Sequence, residues 1–442
     1  MIEKANNDLT DIDLLKKMGM LIILTAPFDI FTIKMPIINI SIYRISAVIL
    51  ILFFLFRIFR RGEIKKSYIY LFLPMIVISS FIGLINSIDP VLNNDVFFSD
   101  VMGVLIIFIF INIYKYEDIS FLLDSYLYSL IPVVFFNAYI YYVYFFQGKM
   151  LKGISVFNIY NFEISDSVLR RWTISGMPRA SMPFSSPPLL GLAISIGIII
   201  IFFKLNSKIK IKLYIWYYLF LILLVIVFFC TMSRSIIVAL CITFLTMIFL
   251  ERIKIKKIRT KNVYKVRWRY LFILFLLTLL IFYFLLPSNV GPKLLSRLIQ
   301  SNFESLSKER HYLVLLDGTI LWTENIKNFL IGIGTGSSIY YTGKHTFFGP
   351  NFFNSYFTIL VERGILGFIG FYSIYFLIIK RLYRNYKTKG DFISKVMFFI
   401  MIDMFVSFVF YDMRAMIPAW IMIAIMCITI QPKNKIKSQR DF

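Results

Sequence analysis

Histidine and cysteine are nearly absent from this chain, and charge is scarce. Two histidines, His311 and His345, cannot make a His-rich metal site. Three cysteines, Cys230, Cys241 and Cys427, all fall in apolar segments and show neither a metal-ligand spacing nor a disulfide framework. Only 16% of the 442 residues are charged, against 59% hydrophobic, which excludes an ordinary soluble protein. No internal repeat or low-complexity stretch is present. The ten-residue alternation of a membrane β-barrel is missing too. The start, MIEKANNDLTDIDLLKKMGM, is too polar for a cleavable signal peptide, so the first span is expected to stay as an anchor.

What is there is a series of apolar blocks of roughly 20 residues, the length that crosses about 30 Å of hydrocarbon. The fold class expected is all-α: a single polytopic membrane domain over 1–442. Twelve spans are read, at roughly 18–34, 37–57, 67–87, 97–114, 122–146, 184–203, 213–230, 233–250, 270–287, 353–379, 392–411 and 415–430. Lys and Arg outnumber Asp and Glu by 48 to 24, which raises the question of a polyanionic partner. The excess sits in short loops, at 58–66, 204–212, 251–269 and 380–391, and in the tail from Pro432. That is the positive-inside signature rather than a nucleic-acid footprint. With Lys16 and Lys17 cytoplasmic the alternation holds along the chain, so both termini are expected in the cytoplasm. The loops 147–183 and 288–352 then lie on the outer face. The second is too long for a simple connection, and its leucines and aromatics at helical spacing predict two or three short surface helices.

Cations on the outer face run against that tendency and call for a reason. Arg179 precedes the sixth span, Arg234 lies in the tight turn after CTMS, Arg310 is in the large loop, and Arg414 is in the last outer turn. A guanidinium is a planar fork of donors that grips phosphate or carboxylate, and a lipid-linked diphosphate is one anion that fits. Local ion pairing is the alternative for Arg310, beside Glu309, and for Arg414, near Asp412. Arg170 and Arg171 point in different directions and are weaker candidates. In the tenth span, Glu362 and Arg363 are about 100° apart on a helix and cannot simply neutralise each other. Asn354 lies two turns before Glu362 on roughly the same face. A polar network between helices is the alternative to a catalytic role for these residues.

Two motifs fail on context. The run GIGTG, with Gly332, Gly334 and Gly336, lacks the preceding strand and the following Lys-Ser/Thr of a nucleotide loop. A tight turn or a close backbone approach explains it better. The DID at 11–13 is remote from the arginines and reads as polar surface.

Four segments together resemble the O-antigen polymerase and ligase superfamily of bacterial membrane glycosyltransferases, of Wzy and WaaL types. They are PRASMPFSSPPLLG with Arg179, TMSR with Arg234, Arg310 before a helix ending in FLIGIGTGSS, and NSYFTILVERGILG. The resemblance covers about residues 170–375 and departs from the ligase pattern at Phe353, where ligases carry histidine. It implies a GT-C-like fold in the bacterial cytoplasmic membrane and a polymerase of O-antigen or capsule repeat units. That enzyme would move a glycan from undecaprenyl diphosphate to the next lipid-linked unit. Implied binding residues are Arg179, Arg234, Arg310, Asn354 and Arg414, with Glu362 or His345 as the base. No cofactor or metal is implied. The partners are lipid-linked donor and acceptor, membrane lipids and a chain-length regulator, with no nucleic acid. A ligase acting on a lipid or protein acceptor is the alternative within the family. A lipid-linked glycan flippase is the alternative from another class.

Overall fold

The computed structural model describes residues 2–28, 32–34, 39–62, 64–147, 153–156, 160–163, 173–174, 177–184, 186–206, 211–257, 310–337, 354–411 and 416–431. Among these the chain is helical apart from three two-stranded hairpins: Thr32–Lys34 (β1) with Asn39–Ser41 (β2), Gly153–Val156 (β3) with Tyr160–Glu163 (β4), and Thr173–Ile174 (β5) with Met177–Pro178 (β6). The helices are α1 (Ile2–Thr25), α2 (Ile42–Arg61), α3 (Leu73–Ile85), α4 (Pro90–Ile113), α5 (Ile119–Gln147), α6 (Pro187–Leu205), α7 (Ile211–Cys230), α8 (Arg234–Lys257), α9 (Arg310–Thr323), α10 (Ile326–Ile331), α11 (Ser355–Thr388), α12 (Phe392–Phe410) and α13 (Ile417–Thr429).

Seven helices among the described residues are long and apolar enough to cross a membrane, and shorter apolar stretches lie at Ile215–Cys230, Arg234–Leu250, Val314–Thr323 and Ile417–Thr429. The molecule is an α-helical polytopic membrane protein. The span expected at 270–287 lies outside the described residues. The expected first span at 18–34 needs correction: α1 starts at Ile2 and stops at Thr25, where a short 3-10 turn holding Pro27 follows. Proline has no N–H to continue the ladder, so the chain leaves the helix and turns through β1 and β2 instead.

Local chemistry sets most other boundaries. Ser41 caps α2 by accepting the Arg44 N–H at 3.1 Å, and Gly62 closes it in a left-handed conformation, φ 65°. Asp391 caps α12 through the Ser394 N–H. Prolines stand in the first turns of α3, α6 and α13, where an amide N–H has no helical partner to lose.

The core is built around α13 and α6. Every residue of α13 is buried, so a helix too short to span lipid on its own is enclosed by protein. Large apolar side chains elsewhere face outward, as Phe56 and Phe59 on α2 and Trp216 on α7 do. In water such a surface would be a liability; against acyl chains it is the ordinary exterior.

Contacts sort the ends of the bundle. At one end Lys16 pairs with Asp118 at 2.8 Å, Lys204 with Asp124 at 2.7 Å, and Tyr116 bonds Asp391. There Lys65 donates to Ile111 O, in the last turn of α4, and to Tyr114 O just past its end. At the opposite end the turn between α7 and α8 meets Arg179 and Ala180, and Ser355 donates to Tyr411 O. Among the described residues, Lys16, Lys65 and Lys204 thus gather at one end, and Arg179 and Arg234 at the other.

Candidate functional site

The tenth predicted span is not one continuous helix. At Gly364 the backbone of α11 adopts φ 65°, ψ −173° and the helix breaks. A break inside a membrane strands backbone carbonyls that have no water to turn to. Here the glycine loop supplies the missing donors: Ile333 N bonds Val361 O at 3.0 Å, and Gly334 N bonds Glu362 O at 2.9 Å. The loop is held from its other side as well, by Thr335 N to Gly83 O at 2.7 Å and by Ser87 Oγ to Thr335 O at 2.8 Å. Only glycine fits at the seam. A Cβ on Gly332 would lie 2.3 Å from the Glu362 carbonyl, and one on Gly364 would lie 2.3 Å from that of Leu330. Both residues also have positive φ, as do Gly334 and Gly336. Close backbone approach is therefore what the GIGTG run serves.

The break sets the two adjacent charges apart. Arg363 turns into the bundle, fully buried, and one terminal nitrogen meets Asp100 Oδ2 of α4 at 2.7 Å. Its other terminal nitrogen donates to Ser80 Oγ of α3 at 2.8 Å, and that hydroxyl bonds Asp100 in turn. The guanidinium also lies over the Phe371 ring, 5.5 Å from its centre. This is a network between helices, the alternative weighed for this residue. Asp100 was missed from sequence because nothing local links it to a partner 263 positions away. Glu362 stays at the seam, 1% exposed, with its carbonyl holding the glycine loop. Asn354 is the N-cap of α11 and accepts the Phe357 N–H at 3.0 Å.

Arg179 and Arg234 meet at the α7–α8 turn. Arg179 Nε donates to Thr231 O at 2.9 Å and a terminal nitrogen to Met232 O at 3.4 Å. Ala180 N adds a bond to Cys230 O, so the segment before α6 pins a turn in which Met232 has φ 50°. Arg234 is the first residue of α8 and is partly exposed, and no described residue bonds its guanidinium. A cation at a helix N-terminus is disfavoured by the helix dipole; two positive sources at one point favour an anion. Arg310 opens α9, whose Val314 packs with Ile333 and Val361, so that helix is fastened to the broken one. The expected short helices of the large loop exist as α9 and α10. His345, Phe353, Arg414, Arg170 and Arg171 lie outside the described residues.

A further buried carboxylate was not anticipated. Asp403 of α12 is bonded by Ser195 of α6 and by Thr243 of α8 at 3.4 Å. Among the described residues no cluster of metal-ligating side chains is present.

A polytopic helical membrane protein, with a broken helix locked by a glycine loop and arginines at the same end, is the class these observations define. Residues 219–372 match the Wzy_C family, described as O-Antigen ligase. The match runs from α7 through Arg234 and the glycine loop to the far side of the Gly364 break, about a third of the chain, and it supports the resemblance to the O-antigen polymerase and ligase superfamily. Comparison with curated proteins gives no match. The activity class supported is that of an O-antigen ligase- or polymerase-type membrane enzyme acting on lipid-linked glycan.

Proposed function

We propose that this chain is a repeat-unit polymerase for a surface polysaccharide, O-antigen or capsule. It works at the outer face of the bacterial cytoplasmic membrane, through a twelve-span, GT-C-like bundle with both termini in the cytoplasm. The observation that carries the reading is Arg234, set at the positive end of α8 on a turn pinned by Arg179, at the same end of the bundle as the Glu362 seam.

In the reaction an acceptor hydroxyl oxygen attacks the sugar carbon linked to diphosphate. The carbon–oxygen bond to phosphate breaks, and undecaprenyl diphosphate leaves with the electron pair. The hydroxyl proton passes to a base, Glu362 or His345. Because the leaving group is already a good one, the enzyme must supply alignment, charge and a proton acceptor. Arg234 and Arg310 take the diphosphates. Arg179 meets a diphosphate or an acidic sugar, and Asn354 and Arg414 complete the substrate wall. Arginine supplies the positive charge, so the reading assigns no metal. Donor and acceptor are both lipid-linked, and a chain-length regulator is the protein partner.

Phe353, where ligases carry histidine, is the observation that favours polymerase over ligase. Arg234→Ala and Arg310→Ala should each abolish polymer while the protein stays in the membrane; normal long chains from both would end the assignment. His345→Ala should cost less than either. Gel analysis of surface glycan from a deletion strain separates the two activities: loss of a polymerase leaves single repeat units attached, and loss of a ligase leaves none.

A further inference from the structure

The far end of α11 carries a feature that the transfer reaction does not use. Leu366, Ile369 and Phe376 are each more than half exposed, and with Ser373 they follow a three-and-four spacing that keeps them on one face of the helix. The same spacing continues into Lys380, Tyr383 and Lys387. One helix face therefore changes from apolar to basic along its length. From Leu366 to Phe376 the helix rises about 15 Å, close to half of the roughly 30 Å hydrocarbon core.

The basic part is concave. Leu377, Lys380, Arg381, Arg384, Lys387 and Tyr383 line a groove of about 530 Å³. Aromatic rings steady two of the cations: Arg381 lies 5.1 Å from the centre of Tyr68 and Lys387 lies 4.4 Å from that of Tyr383. No described carboxylate pairs with any of the four. The opposite face is occupied, with Leu382 and Tyr386 buried and Asn385 bonded to Thr429 O at 3.3 Å.

We infer that this groove is a binding site for the phosphate headgroup of an anionic phospholipid, in the leaflet at the basic end of the bundle. Its acyl chain lies along Phe376, Ile369 and Leu366. A basic end of a span signals orientation in any membrane protein. Four cations that pair with no described carboxylate, above an exposed apolar stripe one leaflet long, match the outline of one lipid as well as its charge.

The test uses the purified full chain in neutral detergent, titrated with phosphatidylglycerol or phosphatidylcholine, with bound lipid counted by native mass spectrometry. Phosphatidylglycerol should bind at least tenfold more tightly, and inorganic phosphate at equal concentration should not displace it. A surface cation is worth about a factor of five toward an anionic lipid, so Lys380→Gln/Arg384→Gln/Lys387→Gln should weaken binding by about a hundredfold. The exchange Lys380→Arg/Lys387→Arg should keep it. Equal binding of the two lipids by the unaltered protein overturns the inference, whether or not the triple variant folds. Undiminished phosphatidylglycerol binding by a folded triple variant overturns it too, and displacement by free phosphate would reassign the groove to a soluble anion.

Discussion

At the residue scale the sharpest feature is the buried pair of Asp100 and Arg363, with side chains 1% and 0% exposed. Two charges inside a bundle lose their hydration, and a pair at 2.7 Å recovers that only while both members are present. Asp100→Ala or Arg363→Ala should therefore each destabilise by about 3–5 kcal/mol, since each leaves an uncompensated buried charge. Asp100→Leu/Arg363→Met should lie much closer to the unaltered protein. Thermal melting in detergent reads this, and losses that simply add would sink the account. Lys65 offers a second test. Burial, then the like charges of Lys115 and Arg57, push its ammonium down from 10.5 to about 8. The folded state thus binds fewer protons than the unfolded one between about pH 8 and 10.5. The stability contributed by this group is full above pH 10.5 and is lost as pH falls through about 8. A Lys65→Met variant should show a flatter rise of melting temperature over that window; an unchanged slope would refute the shift.

At the element scale the unit is the break in α11 with the loop 332–337 set into it. Gly334→Ala would bring a Cβ within 2.2 Å of Asn86 O, and Gly364→Ala within 2.3 Å of Leu330 O, both at positive φ. Neither backbone can give way without losing the hydrogen bonds that satisfy the break. Each variant should fail to accumulate or melt far lower. Gly62 has φ 65° but meets nothing within 4 Å, so Gly62→Ala should cost only about 1 kcal/mol. Equal effects at all three positions would mean that conformation alone, and not the seam, sets the penalty. This element also marks the limit of what the sequence discloses. The ends of α6, α12 and α13 fall within three residues of the apolar blocks read from the sequence, whereas α2 runs Ile42–Arg61 rather than 37–57 because Ser41 and Gly62 cap it. Arg179, Arg234 and the glycine run were legible as misfits to their surroundings. The break itself was not: NSYFTILVERGILG reads as continuous helix, and only a loop arriving from 20 to 30 residues upstream makes interruption tolerable. Asp100 and Asp403 were hidden for the same reason, since their partners come from other helices.

At the scale of the whole molecule, charge and chemistry separate along the bundle axis. Lys16, Lys65, Lys204 and the end of α11 gather at one end, and the Arg179–Arg234 turn, the Asn354 cap and the glycine loop gather at the other. A polymerase using lipid-linked units on the outer face needs that separation with one orientation only. On the proposed function the basic end is cytoplasmic, as short basic loops are retained there, and the arginines meet substrate outside. Cysteine labelling in whole cells decides it. In a Cys241→Ala background, which removes the exposed native thiol, Lys327→Cys on α10 should react with a membrane-impermeant maleimide in intact cells. Thr388→Cys at the end of α11 should react only after lysis. The reverse pattern would put Arg234 and the seam in the cytoplasm, away from any exported glycan, and the polymerase reading would fail with it.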